Sequence, residues 1–455
     1  MPRWPSCRCR REDGRRRRPP AGPALTEGEP DGVLLTACGN RRASRCPSCS
    51  QTYRGDAFQL ISAGLAGGKG VPASVAEHPR LFVTLTAPSF GPVHAIRERR
   101  GLLLPCHPRD PQRRCPHGRP LACRRRHLEG EPELGEPICS DCHDYEAQVL
   151  WNALAPELWR RTTIYLYRAL ARLTGTSEAA VKRRVRVRFA KVAEYQRRGV
   201  IHYHAILRID AALPPGDQEQ VAPPPAGFTV DLLTRAVHLA VHGDEGFHPA
   251  AVPAPVVGVR LPLVATWGAQ LDVRPIGERG ELSAERVAGY VAKYATKGTE
   301  AAGAVLDHRL REEELDALAV RPHVARLVRT CWDLGGHPSL KHLRLRQWAH
   351  QLGYRGHWQT KSRRYSTTFG ALRRVRVEHA RAARLAGAVP LDAWRRPLAD
   401  SAVLVVTDWR YAGSGHRTIA DAWLAASAAA RAREQRRIAR EELTSTVPAV
   451  LAQAG

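Results

Sequence analysis

Apolar and polar positions alternate with a period of two along Leu81-Phe82-Val83-Thr84-Leu85-Thr86, from Val185 to Tyr195, and along Ile201-His202-Tyr203-His204-Ala205-Ile206. A period of two is the mark of a strand, because successive side chains point to opposite faces. Pro88 stops the first run, and a short turn joins the second to the third. In the third run Ile201, Tyr203, Ala205, Leu207 and Ile209 share one face and supply a core side. His202 and His204 project together from the other. Two stretches carry the helical period instead. Apolar residues at 158, 162, 165, 169 and 173 place a helix over Glu157 to Leu173. Ser283 to Lys297 is a second helix, with Ser283 as N-cap, Leu282 and Val287 as a hydrophobic staple, and Gly298 as terminator.

The turn before the His-x-His strand fixes a register. Arg197, Arg198 and Gly199 fit a three-residue hairpin loop whose last residue is left-handed, which suits Gly199. Gln196 then pairs with Val200, and Glu194 with His202, so the carboxylate shares a face with both imidazoles. A two-residue loop at 198–199 would put Glu194 opposite Tyr203, away from them. Glu194, His202 and His204 in the first register form a two-imidazole, one-carboxylate site with open positions, suited to Mn2+ or Mg2+. The second helix adds Tyr290 and Tyr294 at i, i+4, with Lys293 and Lys297 on a neighbouring stripe. Phenols flanked by ammonium groups are what attack on a phosphodiester by tyrosine needs, because the phenolate and the phosphorane charge both require stabilising.

Composition narrows the class. The chain has 455 residues, enough for two or three domains, and a net charge of +26 from 70 basic and 44 acidic residues. Such an excess favours a polyanionic partner, nucleic acid by default. No apolar run is long enough to span a bilayer and the N-terminus lacks a secretory h-region, so a cytoplasmic protein with no membrane partner is expected. Eight of the 11 cysteines fall between residues 38 and 142: Cys38, Cys46, Cys49, Cys106, Cys115, Cys123, Cys139 and Cys142. In a reducing compartment the C-x2-C pairs Cys46–Cys49 and Cys139–Cys142 read as structural zinc knuckles. Eight thiolates fill about two four-coordinate zinc sites. His107, His117, His127 and His143 are near enough in sequence to replace some of them, which leaves the pairing open. The Gly-rich stretch at 66–71 fails the phosphate-loop pattern, because Gly70 follows Lys69.

The expected organisation is a disordered basic arm at 1–32 and a Cys-rich zinc-binding region at 33–150 that contains the strand 81–86. A catalytic core at 151–300 follows, then a basic, mostly helical DNA-binding region at 301–445 and a tail at 446–455. Within 301–445, Tyr354 to Arg374 interleaves Lys361, Arg363, Arg364, Arg373 and Arg374 with Trp358, Tyr365 and Phe369, a candidate DNA contact.

The motif order, FVTLT at 82–86, IHYHAI at 201–206 and YVAKYATK at 290–297, resembles the HUH endonuclease superfamily of rolling-circle replication initiators. CGNRRASRCPSC (38–49), AKVAEYQRRGVIHYHAILRID (190–210) and GYRGHWQTKSRRYSTTFGALRR (353–374) extend the resemblance to initiators of actinobacterial plasmids and integrative elements, the RepSA type. It covers most of residues 33–375. The resemblance implies an α+β fold, with a mainly antiparallel sheet, helices on one face, Cys-rich zinc-binding insertions and a helical basic C-terminal region. It implies His202, His204 and Glu194 as ligands of the catalytic metal, Tyr290 as nucleophile with Lys293 as its motif lysine, and Tyr294 as second tyrosine. The implied activity is site-specific nicking of single-stranded origin DNA, leaving a 5′-phosphotyrosine and a 3′-hydroxyl primer, with later strand transfer. Origin DNA, duplex and single-stranded, is the implied partner. No Walker motif is present, so a host helicase and polymerase complete the set. Termination stays open between Tyr294 and a water activated by a carboxylate, Glu285 and Glu300 being near. The rivals are a relaxase or transposase of the same chemistry, although relaxases usually carry their tyrosines before the His pair, and a non-enzymatic zinc DNA-binding regulator.

Overall fold

The computed structural model describes residues 37–386 apart from 109, 111, 215–219, 256–262, 278–281, 304–305 and 307, together with isolated positions between 418 and 434. The expected arm at 1–32, the tail at 446–455 and most of the Ala/Arg-rich stretch at 419–442 lie outside the described residues. The elements run α1 (Pro47–Ala66), β1 (Arg80–Leu85), β2 (Arg97–Arg99), β3 (Leu102–Leu104), α2 (Tyr145–Leu173), α3 (Glu178–Arg184), β4 (Val185–Tyr195), β5 (Ile201–Ala211), α4 (Val230–His242), β6 (Val252–Pro253), β7 (Val264–Ala265), β8 (Leu271–Pro275), α5 (Ala284–Tyr294), α6 (Pro322–Leu334), β9 (Gln359–Lys361) and α7 (Phe369–Ala386). The chain divides into two units, one of residues 1–56 and 370–455 and one of residues 57–369. In the first, the guanidinium of Arg376 on α7 pairs with both carboxylate oxygens of Asp56 near the middle of α1.

The second unit is α+β, built on a five-stranded sheet of order β8-β1-β5-β4-β9 in which every pairing is antiparallel. The His-x-His strand is β5, at the centre. One face of the sheet carries Leu81, Val83, Leu85, Ala193, Tyr195, Ile201, Tyr203, Ala205 and Ile209, all buried. The long helix α2 covers it, with Trp159 edge-on to Tyr203 and Phe189, and α4 and α6 pack against α2. Its N-cap is Asp144, which accepts from the Ala147 amide. The helix therefore starts a dozen residues before the stretch its periodicity marks, and runs through Pro156.

Helices on one face only does not describe this sheet. The C-terminal half of α1 lies on the opposite face, where Arg80 and Arg208 donate to the carbonyls of Leu65 and Gly64. The ring of Tyr365 packs close over Gly64, a position where any Cβ would clash with it. The tyrosine helix α5 also packs on this face, through Tyr290 against Phe82. The reason is that this second face holds Phe82, Arg80, Arg208 and Asp210 besides the histidines, and their apolar and charged groups need cover. Asp210 is buried and held by Arg208 and by His78. The boundary expected at residue 300 is not a structural one. Residues 359–361 form the edge strand β9 on β4, and residues 335–352 are short 3-10 turns rather than long helices.

Candidate active site and metal centres

The β4–β5 hairpin sets the site. Gly199 has φ of +74°, Gln196 and Val200 close the turn through a 2.9 Å hydrogen bond, and Glu194 stands opposite His202. This is the register predicted from the three-residue loop. Buried polar groups pin the turn from below. Asn152 on α2 donates to the carbonyls of Gly199 and Leu352 and accepts from the Ile201 amide. Gln148 donates to the Arg198 carbonyl, and Arg198 in turn donates to the carbonyls of Ala87 and Pro88 beyond β1. With the turn fixed at both ends, the two ligand strands cannot slip.

At the top of the hairpin the Nε2 atoms of His202 and His204 lie 3.0 Å and 3.2 Å from the same oxygen of Glu194. Burial alone would raise the Glu194 carboxyl. Hydrogen bonds from His202 and His204, and one from Lys297, outweigh it and hold the pKa at about 2. Burial pushes the His204 imidazole down, against the pull of Glu194. Thr84 of β1 meets the Nδ1 of His204 at 3.1 Å, and Phe82 stacks on the ring, so His204 has one orientation, with Nε2 facing the site. One ligand atom from each of the three residues lies within 4.8 Å of the others. Two imidazoles and one ionised carboxylate fit a divalent cation such as Mn2+ or Mg2+.

Helix α5 brings both tyrosines here. Ser283 caps it by accepting from the Arg286 amide, and Val287, Ala288, Val291 and Ala292 bury one side. Tyr290 Oη is 3.4 Å from His204 Nε2, and the rings of Tyr290 and Tyr294 lie 4.5 Å apart, both within 5.4 Å of the His204 ring. Burial and the neighbouring Tyr294 push the Tyr290 phenol above its ordinary range. Tyr290 is still 39% exposed, so a substrate can reach it. The two lysines divide. Lys297 Nζ is 3.0 Å from Glu194 and 4.2 Å from the centre of the Tyr294 ring, whereas Lys293 is exposed, 5.8 Å from that ring. The helix ends at Tyr294, so Lys297 does not continue the Lys293 stripe but turns back into the site.

The eight cysteines fall into three groups rather than two. Cys106 and Cys123 join His94 and His127; Cys115, Cys139 and Cys142 join His117; Cys38, Cys46 and Cys49 stand together in the other unit. The first two groups offer four ligand atoms each, the number a closed structural zinc site uses. Glu131 meets His127 Nδ1 at 2.6 Å, which turns Nε2 toward the thiols, and the Ala95 amide donates to Cys106 Sγ. His94 has no regular spacing to any cysteine, so nothing in the sequence marks it as a ligand. His107 touches Cys106 at 3.0 Å but stands outside the four-atom group. His143 instead bonds Gln148 beneath the hairpin turn.

The basic stretch from 354 to 374 is not one surface. Lys361 folds back onto the carbonyls of Arg363 and Ser366, and burial lowers its pKa to about 8. Trp358 packs on Tyr195, and Tyr365 is fully buried, so these aromatics serve the core. Arg363 and Arg364 line a cleft of about 260 Å3 with Arg186 and Arg188. Arg373 and Arg374 are exposed on α7, in the other unit. No described helix is long and apolar enough to cross a membrane.

The RepSA family, described as "Replication initiator protein, pSAM2", matches residues 16–430. A replication initiator protein from Streptomyces ambofaciens is 44% identical over 424 residues, covering 91% of this chain and 84% of the relative. No solved structure matches. A match over that much of the chain, together with 44% identity over 84% of a replication initiator, places the protein in the RepSA family of replication initiators.

Proposed function

We propose that this initiator nicks single-stranded origin DNA by tyrosine attack at the Glu194–His202–His204 centre. The observation that carries the reading is the convergence of a three-ligand metal site with two phenols, one of them 3.4 Å from a ligand nitrogen. A divalent cation held by the three residues supplies Lewis-acid polarisation of the scissile phosphodiester. Tyr290 Oη forms a bond to phosphorus as the bond to the 3′ oxygen breaks, and the phenolic proton ends on the departing 3′-hydroxyl. The product is a 5′-phosphotyrosine and a primer for a host polymerase. Lys297 places a positive charge beside Tyr294 and Glu194, where phenolate and phosphorane charge develop. Under this proposal Tyr294, its ring 4.5 Å from that of Tyr290, makes the second attack that transfers the strand and ends a rolling-circle round. The test is a labelled single-stranded origin oligonucleotide with Mn2+: a nick with covalent protein label is expected, and binding without cleavage contradicts the proposal and favours a regulator.

The cysteine groups are proposed as structural zinc sites. Residues 92–142 hold little regular structure beyond the β2–β3 ribbon, so cross-linking by metal replaces the core this segment lacks. Elemental analysis is expected to give about two zinc per chain, one for each four-ligand group. Cys139→Ser with Cys142→Ser should lower that by one and cause unfolding or aggregation of the segment. Soluble, active protein without zinc would overturn the assignment.

The arginine cleft of Arg186, Arg188, Arg363 and Arg364 is proposed as an origin-DNA contact. Arg363→Ala with Arg364→Ala should weaken duplex binding and lower the salt slope by up to about two units. An unchanged slope would place the origin contacts elsewhere.

A further inference from the structure

Position 191 breaks the pattern of its strand. It lies on the core face of β4, between Phe189 and Ala193, where an apolar residue is expected. The residue is Lys191, 3% exposed, with its Nζ 3.7 Å from the centre of the Tyr203 ring. Among the described residues no carboxylate pairs with it and no acceptor bonds it. The ammonium is held over aromatic faces instead, Tyr203 and, at 5.9 Å, Trp159, a cation–π arrangement that leaves it without a counter-ion. Burial drives its pKa down to about 7, the sign of a missing counter-charge.

Lys191 lies at the base of a cleft of about 520 Å3 on the sheet face opposite the metal centre, at the β4–β9 edge. Trp159 and Trp348 form aromatic walls, and Arg344 and Arg355 stand exposed at the rim beside His357. No acidic residue lines the cleft. Arg344 has φ of +53°, a left-handed backbone that a glycine would adopt without strain, yet the position holds an arginine. A deep ammonium, two guanidinium groups and two indoles match a phosphate with an adjoining base.

We propose that this cleft binds a phosphate and base of single-stranded DNA, away from the cleavage centre. The proposal rests on the chain handling single strands, but it concerns affinity and not the cut. A strand held here would be anchored while its scissile phosphate reaches the opposite face.

The test is fluorescence anisotropy of a labelled single-stranded oligonucleotide across a salt series, without added divalent metal so that nothing is cut. Arg344→Gln with Arg355→Gln should weaken binding about tenfold and reduce the salt slope by about 0.7, the value for one phosphate contact on a single strand. Lys191→Met keeps the length of the side chain and removes the buried charge. It should weaken binding in the same direction while leaving the thermal midpoint equal or higher, which separates lost contact from lost fold. Unchanged affinity and slope in both variants would overturn the proposal, whatever the nicking assay gives. A second arm adds thymidine monophosphate and inorganic phosphate, read by tryptophan emission. If either quenches the wild type and not the variants while oligonucleotide affinity stays constant, the cleft serves a free anion, and the strand proposal is wrong.

Discussion

Replacing His202 or His204 with alanine should reduce nicking of a single-stranded origin oligonucleotide by about 1000-fold or more, the equivalent of about 4 kcal/mol of lost transition-state stabilisation. Each imidazole supplies one of the three candidate ligand atoms that the described residues bring together here, and under the proposal Glu194 alone would not hold the cation. Duplex binding should be nearly unchanged, since the proposal assigns affinity to basic contacts such as the arginine cleft rather than to the imidazoles. The fold should tolerate the loss better at His202, which lies at the outer end of β5, than at His204, which is stacked on Phe82 and bonded to Thr84. His202→Ala is therefore the cleaner variant. Full activity in the double variant, with normal folding, would remove this centre from the mechanism. Glu194→Gln should show a graded loss, because it keeps an oxygen ligand but gives up the charge that Lys297 and both imidazoles now meet.

Much of this centre is legible in the sequence because it is local. Gly199 at the end of a three-residue turn and the alternation on either side fix the Glu194–His202 register with no tertiary information. The tyrosine helix is legible for the same reason, from its Ser283 cap and its i, i+4 pattern. What sequence reading misses depends on distant packing. Lys297 reaches Glu194 because the helix stops at Tyr294, and a stripe projected from Lys293 cannot show that. β9 is three residues long, too short for a period to register, so its region reads as part of a separate domain. His94 becomes a candidate ligand only when the chain folds back on the Cys-rich block. Lys191 looks like one of many basic residues until the strand assigns it to the core face. Trp358 and Tyr365, in a stretch whose charge suggests DNA, are drawn into the core.

Tyr290→Phe should abolish the covalent intermediate. The change removes one oxygen, and the ring contacts with Phe82, His204 and Tyr294 can persist, so folding and binding should stay as they are. Tyr294→Phe should still nick but fail to transfer the strand. The two phenols are one helical turn apart, about 6 Å along the axis, so a small shift of the DNA exchanges them at one phosphate. Normal strand transfer by Tyr294→Phe would reduce Tyr294 to packing, and point to a water activated by a carboxylate. Lys297→Met should slow cleavage more than Lys293→Met, since only Lys297 touches the centre.

The most direct measurement is peptide mapping of the protein–DNA adduct trapped on a single-stranded origin substrate in Mn2+. The account predicts a 5′-phosphotyrosine on the peptide containing Tyr290, absent in Tyr290→Phe and in the His202→Ala, His204→Ala double variant. An adduct on Tyr294 alone would reverse the order of the tyrosines. A nicked product with no adduct at either would contradict tyrosine attack altogether.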